Sequence, residues 1–129
     1  MATEALVREF QTLADALEKD AGPLALLMLL PVEPNVEDAW TVLVSARSFD
    51  GKSTRESLNE ISAHLNKTLS STVKSAIKQA AVLKSDDPFV TAMNAAFHSS
   101  GSSIDIYSTV VAGVEIPRAI VFESKRIAA

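Results

Sequence analysis

The nine residues from Leu24 to Val32, LALLMLLPV, are apolar at every position. Read as a strand, such a run shows apolar side chains on both faces and needs cover on both, from helices or from a second subunit. Periodicity alone also admits a buried helix for so short a run. The flanks favour the strand: Glu33-Pro34-Asn35 has the composition of a turn, and Trp40-Thr41-Val42-Leu43-Val44 beyond it is strand-like, so the two segments are expected to form a hairpin.

A second strand signal closes the chain. Ile104, Ile106, Ser108 and Val110 alternate with Asp105, Tyr107, Thr109 and Val111, a period of two in β-branched and aromatic residues. Ala112-Gly113 supplies a two-residue turn, and the chain returns through Val114 to Phe122 with Val114, Ile116, Ile120 and Phe122 expected to face inward. Pro117 has no N–H for a ladder, so an edge or a bulge is expected beside it.

Three helices fit around these hairpins. Leu6, Val7, Phe10, Leu13, Ala14 and Leu17 recur at helical spacing, which predicts an amphipathic helix from Thr3 to about Asp20, stopped by Gly22-Pro23. Ser53 followed by Glu56 is a capping box, and Leu58, Ile61, Leu65 and Leu69 give the inward stripe of the helix it opens. Ser70-Ser71-Thr72 offers the backbone alternative partners, so a short turn and then a strand over Ile77 to Leu83 are expected. Asp87 before Pro88 caps a third helix with Phe89, Val90, Met93, Ala96 and Phe97 facing inward, and residues 99–103 form a loop. The order α-β-β-α-β-α-β-β predicts a single α+β domain over residues 1–129: a two-layer sandwich of a mostly antiparallel five-stranded sheet with helices.

Composition narrows the chemistry. A chain of 129 residues is long enough for one core. With no cysteine, disulfides, thiolate nucleophiles and cysteine-based metal sites are excluded, and a cytoplasmic location is expected. Residues 24–30 are too few to span a bilayer, and the acidic residues before them do not suit an export signal, so no membrane association is expected. A net charge of −4 argues against nucleic acid as partner. Lys67, Lys74, Lys78 and Lys84 fall in a stretch without acids, while residues 1–38 are rich in them. That division reads as a solvated face and as complementarity within the chain or between subunits.

The most suggestive short motif is Ala46 to Thr54, ARSFDGKST, between a strand and a helix. Gly51-Lys52-Ser53 matches the end of a phosphate-binding loop, but the first glycine of that motif would fall at Ala46, and the preceding strand reads as half of an antiparallel hairpin. What survives is a small-molecule or anion site near this loop, with Arg47, Lys52, Ser53 and Trp40 as ligand-binding candidates. Arg118 joins them, because a break in the ladder at Pro117 would re-aim its side chain. His64 and His98 show no ligand spacing, Asp86-Asp87 reads as a helix cap, and no serine lies in a nucleophile elbow. No catalytic residue, metal or cofactor is assigned. The favoured expectation is a non-enzymatic protein-interaction or regulatory module acting as a homodimer, ahead of the ligand-binding reading and of a small enzyme. It rests on an apparent excess of apolar faces, with Leu24 to Leu30 needing cover and Tyr107, Val111 and Val121 on outward positions.

Overall fold

The structure, a computed structural model, describes residues 3–33 and 38–126. The all-apolar run is a strand, β1 (Leu24–Pro31). It is central in a five-stranded sheet of order β3-β2-β1-β5-β4, made with β2 (Trp40–Ala46), β3 (Ile77–Val82), β4 (Ile104–Val111) and β5 (Val114–Ser124). β1 pairs antiparallel with β2 and β5, and β5 with β4, whereas β2 and β3 are parallel. This is an α+β fold with a mostly antiparallel sheet, as the element order predicts. The single parallel pair follows from the long crossover that residues 47–76 provide. The turn expected at Glu33-Pro34-Asn35 lies largely outside the described residues.

Both faces of β1 are covered from within the chain. On one face, α1 (Thr3–Ala21), α2 (Arg47–Asp50), α3 (Thr54–Thr68) and α4 (Ser71–Ala76) pack Leu6, Phe10, Leu13, Phe49, Ile61, Leu65 and Val73 against Leu24, Leu27, Leu29, Val42, Val44, Ile120 and Phe122. On the other, α5 (Pro88–Ala96) sets Val90 and Met93 against Ala25, Leu26, Met28, Ala119 and Val121. The arrangement therefore has three layers where two were expected. A strand apolar on both faces forces the third layer. A register shift between Leu24 and Leu26 lets β1 satisfy both sides, because it turns Leu24 and Leu27 to the same face.

The helix boundaries follow local chemistry. Ser53 Oγ accepts the Glu56 N–H at 3.1 Å, but its hydroxyl in turn donates to the Glu56 carboxylate, so that carboxylate accepts from the side chain and not from the backbone of a full capping box. Ser70 caps α4, a short helix where a turn was expected, and Glu9 of α1 accepts from both its N–H and its hydroxyl. Asp87 caps α5, with Pro88 as its first residue. Along α5, Ala96 is exposed where it was expected inside.

The C-terminal hairpin departs furthest from simple alternation. Ser108, opposite Pro117 in the ladder, has φ 48°. That left-handed residue shifts the phase of the strand, so Ile106 and Val111 share the α5 face while Val110 turns outward. Val114, expected inside, is exposed. Pro117 lies beyond the segment of β5 that pairs with β1, which gives it the local edge that its missing N–H requires.

Candidate functional site

The loop from Ala46 to Thr54 uses most of its polar groups in the fold. Lys52 Nζ forms an ion pair with Glu60 at 3.1 Å and lies 5.6 Å from the centre of the Phe49 ring. Ser53 is committed to its helix cap. Arg47 is exposed at the first position of α2. Trp40 sits at the far end of β2 from Arg47, roughly 20 Å away at strand rise. Trp40, Arg47 and Lys52 therefore do not converge on one site.

Trp40 instead meets Arg118. The guanidinium carbon of Arg118 is 5.2 Å from the centre of the Trp40 ring and 5.8 Å from that of Tyr107. The register explains the meeting: Tyr107 is directly opposite Arg118 on β4, while Leu29 pairs Ile120 and Pro31 pairs Trp40, which sets Arg118 and Trp40 on either side of the end of β1. Trp40 is buried, Tyr107 is exposed and Arg118 is half-buried between them. The Arg118 Nε is buried and makes no hydrogen bond, and no described carboxylate pairs with the guanidinium. An N–H removed from water with no acceptor carries a penalty of about 1–3 kcal/mol, which stacking on aromatic faces offsets only in part.

A second polar cluster lies at the opposite end of the sheet, and no local pattern in the sequence signals it. Glu123 is only 3% exposed, because a register shift in β5 sets it beside Phe122 on the α1 side. It accepts from Gly101 N–H at 3.0 Å, from Ser100 Oγ at 3.3 Å and from Lys125 Nζ at 3.1 Å. Lys125 also donates to Glu18 at 2.6 Å, and Glu18 accepts the Leu24 N–H. Burial alone would raise the Glu18 carboxyl, but the Lys125 and Leu24 hydrogen bonds outweigh it and hold its pKa below the ordinary value. Burial alone would likewise lower the Lys125 ammonium, yet the bonds to Glu18 and Glu123 hold it above its ordinary value. A cavity of about 80 Å³ opens beside this cluster, lined by residues that include Gln11, Asp15, Gly101 and Phe122. Each member of the triad is already partnered, so the cluster fastens the loop before β4 to α1 and the end of β5.

His64 and Asp50 are held in similar contacts. His64 Nε2 lies 2.9 Å from Asp20, and Asp50 accepts from both the N–H and the hydroxyl of Ser85. His98 is exposed just beyond α5. Among the described residues, no group of three or more His, Asp or Glu side chains is placed to hold a metal ion, and no helix is long and apolar enough to cross a membrane.

Exposed apolar side chains gather on the hairpin. Tyr107, Val110 and Val114 are 60%, 67% and 47% exposed. α1 reaches β1 and β5 but leaves Asp105 and Tyr107 of β4 open to solvent. Comparison of the chain with protein-family models, curated proteins and solved structures returns no match.

Proposed function

We propose that this protein is a non-enzymatic interaction module that self-associates through its C-terminal hairpin. The observation that carries the reading is the exposure of Tyr107, Val110 and Val114 on a hairpin whose first strand is a sheet edge. Open edges with apolar side chains favour pairing with another chain. The opposite edge differs: β3 carries exposed Lys78 and Gln79, with Lys74 just before it and Lys84 just after, and lysine on an edge strand opposes pairing.

The apolar argument is narrower than the sequence suggested. β1 is covered by α1 and α5, and Val111 and Val121 are buried in the same chain, so none of them calls for a partner. The hairpin alone supports the proposal. A second copy would add its own β4 antiparallel to this one about a twofold axis, the commonest symmetry for a homodimer. Ser108 interrupts the edge, leaving Ile104–Tyr107 and Thr109–Val111 as the two stretches that can pair. The proposal places the protein in the cytoplasm, where a chain without cysteine loses nothing to reducing conditions.

Amide hydrogen exchange tests it. Outward-facing amides of Ile104 to Val111 should exchange more slowly at high protein concentration than at low, with β3 unchanged. Exchange on β4 that does not vary with concentration contradicts the reading.

A further inference from the structure

We infer that Arg118, flanked by Trp40 and Tyr107, is a recognition site for a carboxylate. This goes beyond self-association, since the site is formed by one copy of the chain. Three observations meet there. The guanidinium lies against two aromatic rings at 5.2 and 5.8 Å, and no carboxylate among the described residues pairs with it. Its Nε is buried without an acceptor. The ring on one side is half of an otherwise solvent-facing surface, for Tyr107 is largely exposed whereas Trp40 is buried.

A structural arginine is ordinarily tied to a carboxylate or a carbonyl, and buried donors are almost always satisfied. Here the guanidinium carbon lies over two rings while the donors are unused by the described residues. Guanidinium presents paired, parallel N–H groups whose spacing matches the two oxygens of a carboxylate. The flanking rings favour a planar partner lying in the plane of the guanidinium over a tetrahedral one. Outward movement of the largely exposed Tyr107 would bring Nε within reach and relieve the unpaired donor. Two sources can present the same group: a free carboxylic acid, or an Asp or Glu side chain of a polypeptide.

Trp40 is the single tryptophan of the chain, so intrinsic fluorescence reports on this site alone. The experiment titrates the untagged protein, at constant ionic strength, with glutarate, with N-acetyl-glutamate N-methylamide, with inorganic phosphate and with chloride. A saturable change in Trp40 emission is expected with the two carboxylates, and weaker binding with phosphate. Tighter binding of the blocked glutamate identifies a polypeptide source, and tighter binding of glutarate a free acid; both support the site. Arg118→Lys, which keeps the charge but loses the fork, should weaken carboxylate binding about tenfold, and Arg118→Gln should abolish it. Circular dichroism establishes that each variant is folded. Should Arg118→Gln not fold, the Arg118 Nε–H cross-peak in a 1H–15N spectrum of the wild-type protein, assigned by its loss in Arg118→Lys, gives the second readout and should shift with carboxylate. No saturable response, an equal response to chloride, or a response that Arg118→Lys leaves intact would overturn the inference.

Discussion

At the scale of single residues, the hairpin turn stores removable strain. Ala112 has φ 51° and Gly113 φ 77°, the pair of positive values of a two-residue turn suited to right-handed strand twist, yet only the second residue is a glycine. Ala112→Asn, which creates the favoured Asn-Gly pair, should raise stability by about 0.5–1 kcal/mol in chemical denaturation. The sequence located the turn but not this strain, because Ala-Gly specifies a break without specifying the backbone of its first residue. The triad of Glu18, Lys125 and Glu123 makes a second residue-level prediction. Glu18 has a depressed pKa when folded, so its contribution is present above the unfolded value and is lost as pH falls through the folded one. Lys125 has a raised pKa, so its contribution holds below the unfolded value and is lost as pH rises through the folded one. Stability should therefore be flat near neutrality and decline in acid and in strong base. Lys125→Met should cost about 2 kcal/mol at neutral pH by leaving Glu123 buried without its cation, and thermal melts across pH would show a shallower basic limb.

At the scale of elements, what was legible was whatever local chemistry decides. The apolar run at β1, the Ser53 and Asp87 caps and the start of a strand at Ile77 all depend on near neighbours in sequence. Asp87→Ala should remove the acceptor for the Phe89 N–H and cost about 1 kcal/mol, measured by urea denaturation. What escaped the sequence depends on distant partners. The inward set of the last hairpin was misassigned because Ser108 changes phase opposite Pro117, and no period-two pattern anticipates a left-handed serine. The third layer was half legible: the run at β1 calls for cover on both faces, but α5 reads as one more amphipathic helix, and only the sheet order shows that it supplies the second cover. The acidic N-terminal third was expected to complement the stretch that carries Lys67, Lys74, Lys78 and Lys84; among the described residues Glu9 instead accepts from the Ser70 amide and hydroxyl, Asp20 meets His64, and Lys78 donates to the Ser75 carbonyl.

At the scale of the whole molecule, the candidate site was half legible. Trp40 and Arg118 were both singled out, but as members of one site near the loop from Ala46 to Thr54; 78 positions of sequence separate them, and the register of β2, β1 and β5 brings them together away from that loop. Tyr107 was noted as an outward apolar residue and turns out to be the third member of that group. Arg47 and Lys52, chosen for their resemblance to a phosphate loop, remain at the other end of β2. The same hairpin thus carries both the apolar surface for self-association and the tyrosine that flanks Arg118. The most direct test of the self-association reading is sedimentation velocity on the untagged protein over a micromolar concentration series, run beside Val110→Lys. The expected result is a mass that rises toward twice that of one chain for the wild type and stays at one chain for the variant. A wild type that sediments as a single chain throughout the series would contradict it.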